Sequence, residues 1–466
     1  MHTLLAGIIA CSLQPTAAQP VAPAAFQRPG HPLARQVMSA ISPDECRRIV
    51  DTLAGFGTRH TLSDTASETR GIGAARRWIK AEMEKSAAAS GGRMRVEFEE
   101  FDLPPGARIP QGARVVNVIA VLPGSMPEAA GRACYVVGHY DSRNGDGADA
   151  VGDAPGANDD ASGTAVVMEC ARVLAATKLD ATVVFLATAG EEQGLLGAKA
   201  HAEKIAGAKT WTIGGVLNND IVGDPHGWRW GKTDDPADRL TVRVFSEGLP
   251  RNASAETLAQ IRSLGGEVDS INRQLARYVA EVAQVEQTAV RPRVTYRLDR
   301  FLRGGDHLSF SESGFAAVRF TAPREDYTRQ HQDVTTVEGP GGTTLPYGDV
   351  PRFVDAEYVA DVARLNAAVL VHLANAPAAP SNVRMLTAQL ETSTALRWSP
   401  SAEPDVAGYE VVWRDTTSPT WDHVKDVGDA TTASFELSKD DWFFGVRAYD
   451  QDGYRSPVTF AGVAAQ

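Results

Sequence analysis

Five short segments of this 466-residue chain close an apolar run with acids or histidines, the side chains that ligate metals and move protons. The first is Gly138-His139-Tyr140-Asp141-Ser142. The second is Pro155-Gly156-Ala157-Asn158-Asp159-Asp160-Ala161-Ser162-Gly163, which leads into a helical pattern. The third runs from Phe185 to Gly194 and carries the adjacent pair Glu191-Glu192, and the fourth, Leu217-Asn218-Asn219-Asp220, ends in a single acid. The fifth, Tyr327-Thr328-Arg329-Gln330-His331-Gln332-Asp333, supplies a histidine. Taken singly, each has a plain explanation: a histidine–acid pair is usually structural, and acids ahead of a helix usually cap it. Together they fit the rule that open α/β sheets bind ligands outside the carboxyl ends of their strands. A pocket holding so many acids keeps them ionised only if cations neutralise them. Mixed imidazole and carboxylate donors suit zinc, each ion keeping an open position for water.

The elements that must carry these segments are legible as alternating patterns. Apolar runs at 115–122, 134–138, 182–187, 213–217 and 316–320 read as strands, and 164–176 reads as a mostly buried helix. Ile49, Val50 and Leu53, and then Ile72, Ala75, Trp78, Ile79 and Met83, recur at helical spacing. Strands alternating with helices predict an α/β fold with a mainly parallel sheet, covered by helices on both faces. Residues of about 223–300 interrupt that rhythm; Ile271, Leu275, Tyr278 and Val282 predict a packed accessory helix within this insertion. A Pro- and Ala-rich stretch over 19–39 reads as a linker, and Ala-Asn-Ala-Pro-Ala-Ala-Pro at 374–380 reads as another. Beyond it, 376–466 holds short alternating segments separated by turn residues and no cysteine, which predicts a small all-β immunoglobulin-like sandwich without the inter-sheet disulfide. Trp398, the Gly-Tyr-Glu-Val-Val-Trp segment and the Val-Arg-Ala-Tyr-Asp ending resemble a fibronectin type III domain.

A formal charge of −12 removes nucleic-acid binding from consideration, since no basic footprint is present. A peptide or small molecule is the expected partner. The apolar run Leu4–Ala10, followed by Thr16-Ala17-Ala18, reads as a signal peptide over 1–18 and predicts export to the periplasm or medium. Ile8-Ile9-Ala10-Cys11 also resembles a lipoprotein cleavage box, which would leave Cys11 as a lipid anchor. No other stretch approaches the length needed to span a membrane. Of Cys11, Cys46, Cys134 and Cys170, a Cys134–Cys170 bridge is one reading and buried small hydrophobes the other.

Over roughly 40–375 the five motifs, in this order, resemble those of the zinc peptidase family M28, which includes bacterial leucine-type aminopeptidases and glutamate carboxypeptidases. The resemblance implies two zinc ions: His139 and Asp220 on one, Glu192 and His331 on the other, and Asp159 bridging them. It implies Glu191 as general base and Asp141 as the carboxylate orienting His139. Family members commonly place an Asp about four residues after the last histidine, whereas here Asp333 follows by two. Tyr327 is the candidate donor to a tetrahedral oxyanion. Asp306-His307 is expected to line or support the pocket. The loop acids Asp146, Asp149 and Asp153 read as solvated, and Ser162 has no base for a serine mechanism. The expected activity is therefore aminopeptidase action on peptides. The alternatives are a carboxypeptidase or dipeptidase, for which Arg303, Arg319, Arg324 and Arg329 offer a basic pocket, glutaminyl cyclisation, or a non-catalytic binding or adhesion protein.

Overall fold

The computed structural model describes residues 28–226, 238–388 and 391–463. The signal segment expected over 1–18, with Cys11, lies outside the described residues. Helices α1 (Pro32–Ser39), α2 (Pro43–Gly55) and α3 (Gly71–Ala88) precede strands β1 (Arg95–Leu103) and β2 (Ala113–Leu122). Then β3 (Arg132–His139), α4 (Ala161–Leu174), β4 (Thr182–Thr188), α5 (Leu196–Ala208) and β5 (Thr212–Asn219) alternate. They are followed by β6 (Thr241–Phe245), α6 (Ala255–Ser263), α7 (Ile271–Glu286), β7 (Arg291–Thr295), α8 (His307–Glu312) and β8 (Ala317–Thr321). A small hairpin of β9 (Thr335–Glu338) and β10 (Thr344–Tyr347) leads to α9 (Ala356–Asn375).

Eight strands form one sheet in the order β1-β2-β4-β3-β5-β8-β6-β7. Its centre, β4-β3-β5-β8, is parallel, while β2 joins β4 and β6 joins β8 antiparallel. β3, β4 and β8 are buried along their whole length, as parallel strands covered on both faces must be. The larger core lies between the sheet and α2, α3, α4 and α9; the smaller one, around Tyr135, Leu186 and Phe310, lies beneath α5 and α8. Local chemistry starts the helices where they start. Ser42 caps α2 by accepting from the Glu45 amide ahead of Pro43, and Asp160 caps α4 by accepting from that of Gly163.

Two expectations need correction. The 19–39 linker does not extend to residue 39, because Pro32–Ser39 is a helix that packs on α9; Pro32 sits in its first turn and the His31 side chain caps it. The 223–300 insertion is more than an accessory helix, since its β6 and β7 extend the main sheet at one edge. α7 does bury the apolar face read from the sequence, with Leu275, Tyr278 and Val282 in the core; Ile271, at its start, is exposed. Cys46, Cys134 and Cys170 are buried free thiols.

After α9 the chain folds into two four-stranded sheets, from β11 (Ser381–Met385), β12 (Thr394–Ser399), β13 (Val406–Asp415), β14 (His423–Gly428), β15 (Thr432–Phe435), β16 (Trp442–Asp450), β17 (Thr459–Phe460) and β18 (Gly462–Val463). The orders are β15-β12-β11-β18 and β14-β13-β16-β17, and Val383, Leu396 and Trp398 of one sheet pack against Tyr409, Val411, Phe444 and Val446 of the other. This sandwich is pinned to the larger domain through buried charges. Arg132 pairs with Glu403 at 3.1 Å, Arg414 with Asp269 at 2.6 Å and Arg447 with Glu281 at 2.8 Å. The Trp421 indole donates to Gln274 at 3.2 Å, and the Tyr454 hydroxyl lies 2.6 Å from His31 Nδ1. Among the described residues no helix is long and apolar enough to cross a membrane.

Candidate active site

Three adjacent parallel strands of the sheet deliver candidate ligands to one end of it. His139 is the last residue of β3, Glu191 and Glu192 follow β4 after the turn at Gly190, and Asp220 follows β5. Gly190 has φ +78°, a left-handed conformation that a side chain would strain, so the chain can turn sharply enough to aim both glutamates inward. Asp159 comes from the loop ahead of α4 and His331 from the loop after β8.

The two neighbouring acids before α4 divide the work. Asp160 is structural: its carboxylate accepts from the amides of Gly163 (2.8 Å), His139 (3.1 Å) and Ile221 (3.3 Å), tying α4, β3 and the end of β5 together. Asp159 points the other way and stands between two histidines, its Oδ1 3.1 Å from His139 Nε2 and its Oδ2 3.0 Å from His331 Nε2. His331 Nε2 also lies 2.9 Å from Glu192 Oε1, and Asp220 Oδ1 lies 3.9 Å from His139 Nε2. Two groups thus emerge whose ligand atoms lie within 4.8 Å of one another: His139, Glu191 and Asp220, and Asp159, Glu192 and His331. Asp141 sits behind His139. Its backbone carbonyl is 3.1 Å from Nδ1 and its carboxylate 3.5 Å, while that carboxylate also accepts from Thr61 Oγ1 and from the amides of Glu191 and Glu192. One acid therefore fixes both the histidine ring and the glutamate turn. Tyr327 stands half-exposed on the wall of the same cavity, with the Arg303 guanidinium 5.6 Å above its ring.

The electrostatics of the cluster call for cations. Burial, reinforced by Asp220 and Glu192, drives the Glu191 carboxyl well above its ordinary pKa, and burial also raises Glu192. Burial opposes charge on His331, but Glu192 and Asp159 outweigh it and push its pKa up to about 10. Without a metal, protons would have to screen these acids from one another. His139 Nε2 is buried and has no hydrogen-bond partner, although two carboxylates flank it. An unpartnered imidazole nitrogen surrounded by carboxylate oxygens is a donor set that fits zinc.

Asp349, Arg108, Arg143 and Arg300 were not singled out in the sequence. Buried Asp349 accepts from the amides of Asn158 (2.8 Å) and Asp159 (2.7 Å), holding the loop that presents Asp159; burial pushes its pKa up to about 7. Arg319, read from the sequence as part of a basic pocket, is instead buried, 2.7 Å from Asp220 and 3.1 Å from Asp299. Arg329 is likewise engaged, by Asp224 and Asp326. Asp306 is buried beneath the site, accepts from Thr188 Oγ1 and has its pKa raised by burial to about 7. A cavity of about 520 Å³ opens over the cluster, lined by Asp159, Glu191, Glu192, Asp220 and His331 and by Arg108, Arg143, Arg300, Arg303, Leu195, Leu302 and Tyr327 among others.

A model of peptidase family M28 matches residues 117–339, the span that contains all these candidate ligands. A probable zinc metalloprotease of Leptosphaeria maculans is 44% identical over 424 residues, covering 91% of this chain and 95% of its own. The chain belongs to peptidase family M28. A second such relative, a probable zinc metalloprotease of Pyricularia oryzae, is 46% identical over 427 residues, covering 91% of this chain and 83% of its own. Among solved structures, LapB of Legionella pneumophila superposes with a TM-score of 0.51 at 19% identity, covering 74% of this chain and 75% of that one. An aminopeptidase from Aneurinibacillus superposes at 0.50 with 14% identity, covering 73% and 96%. These likenesses establish a shared fold for the M28 domain.

Proposed function

We propose that this M28 peptidase is an exported two-zinc aminopeptidase that removes residues from the N-termini of peptides. The observation that carries the reading is Asp159, whose two oxygens face two different histidines at 3.1 and 3.0 Å, the disposition a carboxylate needs to bridge two ions. His139 and Asp220 would hold one ion, Glu192 and His331 the other. Bound there, zinc would lower the pKa of a water and polarise the scissile carbonyl. Glu191 takes the proton from the attacking water and later passes it to the leaving amine; leaving Glu191 out of the ligand set keeps its oxygens basic. Its adjacency to Glu192 lets one glutamate ligate while the other faces substrate. Asp141 keeps the His139 ring in register, and the Tyr327 hydroxyl, on the cavity wall, donates to the oxyanion as the carbonyl becomes tetrahedral. An aminopeptidase from Aneurinibacillus shares this fold, which favours the amino end of a peptide as the point of attack. The names of the M28 relatives support zinc as the metal.

The test is hydrolysis of a short peptide library followed by mass spectrometry, each peptide offered with a free and with an acetylated N-terminus. Cleavage confined to free-amine peptides, progressing from that end, is expected; trimming of both sets from the C-terminus would replace the aminopeptidase reading with the carboxypeptidase one. Glu191→Ala should lower kcat at least about a hundredfold while the protein keeps its metal. Near-normal turnover in that variant would remove Glu191 as the base.

A further inference from the structure

We infer that Arg108, Arg143 and Arg303 form an anion-binding wall of the cavity, and that the preferred substrate is a short peptide carrying a carboxylate close to the bond cut. The inference rests on the two-zinc reading and deepens it.

Among the described residues none of these three guanidinium groups pairs with a carboxylate. Arg108 donates to the Glu192 carbonyl at 2.8 Å and Arg143 to the Asn144 carbonyl at 3.3 Å, while Arg303 Nη1 lies 3.0 Å from His331 Nδ1. Their neighbours differ: Arg300 is paired with Asp299 and Glu325, and Arg319 with Asp220 and Asp299. A guanidinium group carries five N–H donors in a rigid fork, so each of the three keeps donors free for a planar oxyanion. Arg143 and Arg303 are half-buried and Arg108 is exposed, all on one cavity.

Charge balance points the same way. The cavity wall carries four carboxylates, Asp159, Glu191, Glu192 and Asp220, against four guanidinium groups, the three above and Arg300. Two divalent cations would balance the four carboxylates, and since Arg300 is already paired with Asp299 and Glu325, the charges of Arg108, Arg143 and Arg303 would stand uncompensated in a chain whose formal charge is −12. Field lines from such a recess converge on its mouth and draw in anions. A volume of about 520 Å³ suits a di- or tripeptide, and Leu195 and Leu302 offer apolar wall for a side chain. The carboxylate can come from the C-terminus of a short peptide or from an acidic side chain beside the scissile bond.

The experiment is titration calorimetry on zinc-loaded Glu191→Ala protein with Leu-Ala, its C-terminal amide, and Leu-Asp amide. Leu-Ala should bind at least about tenfold more tightly than its amide. If Leu-Asp amide recovers that affinity, a side-chain carboxylate also serves; if it does not, the α-carboxylate is the one held. Arg143→Gln/Arg303→Gln, made in the same background, should bring the three affinities together. Equal binding of acid and amides, absence of binding by all three peptides, or a preference that survives the double substitution would each overturn the wall. The peptidase reading is judged separately on the unsubstituted protein: acid preference without zinc-dependent hydrolysis of any peptide would keep the wall and remove the aminopeptidase.

Discussion

Gly138 immediately precedes the candidate ligand His139, and a single methyl group placed there tests whether the site depends on close contact between β3 and α4. A Cβ at Gly138 would stand 2.7 Å from the Gly163 carbonyl carbon, 2.8 Å from its oxygen and 2.9 Å from the Thr164 nitrogen. All three atoms are backbone in the first turn of α4, so no side chain can swing aside. Ordinary contacts to a Cβ begin near 3.4 Å, which means the strand and the helix must part by about 0.7 Å. Two hydrogen bonds cross that seam, Thr164 Oγ1 to the His139 carbonyl at 2.8 Å and the His139 amide to Asp160 at 3.1 Å, and both would be stretched to marginal length. Overpacking of this kind costs about 1–3 kcal/mol. Because metal–ligand distances tolerate only about 0.2 Å, moving His139 away from Asp159 should also weaken zinc about ten- to a hundredfold. Gly138→Ala is therefore expected to unfold at lower denaturant concentration and to lose zinc to a chromophoric chelator far sooner than the parent. A variant with parental denaturation midpoint and parental zinc affinity would refute the reasoning, since the seam would then have slack the distances do not show.

Asp159→Ala should empty both ion sites together, because each histidine loses the same carboxylate; elemental analysis after dialysis checks it, and two tightly retained ions would remove the bridging role. Arg319→Met should cost about 3–5 kcal/mol in urea unfolding, as it strands the buried carboxylates of Asp220 and Asp299; an unchanged midpoint would mean those acids find other partners. Glu99 is a pH probe outside the candidate site. Burial works against its charge, yet His201 at 2.7 Å and Lys204 at 2.9 Å hold its pKa down at about 2, against an ordinary 4.5. A carboxylate depressed by folding stabilises above its unfolded pKa and loses that contribution as pH falls through the folded one. Glu99→Gln should accordingly be less stable than the parent by about 1–3 kcal/mol at neutral pH, with the gap closing between about pH 4.5 and 2 in paired denaturation curves; a gap that stays constant through that window would refute the assignment.

The sheet and most of the ligands were legible because β3, β4 and β5 are unbroken apolar runs, and polar residues that close such runs stand at the carboxyl edge. Which of Asp159 and Asp160 would serve a metal was not readable from composition, since both are equally good caps; the resemblance to M28 chose Asp159, which lies between His139 and His331, whereas Asp160 accepts from backbone amides. Asp349 and the arginines at 108 and 143 stay invisible in one dimension, because each lies on a loop whose local pattern says only that the chain turns. Arg319 was visible as a charge, but its burial depends on Asp299 and Asp220 arriving from elsewhere. β6 and β7 were missed for a different reason: each is only five residues long, and Pro292 within β7 reads against a strand. The α1 turn was masked by its Pro- and Ala-rich surroundings, although Pro32 marks a first helical turn as readily as a linker.

The pairing of Arg132, Arg414 and Arg447 with Glu403, Asp269 and Glu281 bears on how this architecture can change over evolutionary time. A bead on a string can be deleted, duplicated or exchanged between genes without disturbing what it was attached to. Here excision of the sandwich would leave Arg132 without Glu403, Asp269 without one of its two arginines and Glu281 without Arg447, and would strip Gln274 of its Trp421 donor and Gly265 of its Phe443 contact. Because Asp269 and Glu281 belong to the insertion whose strands β6 and β7 edge the main sheet, loss of the sandwich would strand charges in a segment built into that sheet. The charged seam thus couples the two parts: removing either leaves buried charges of the other without their partners.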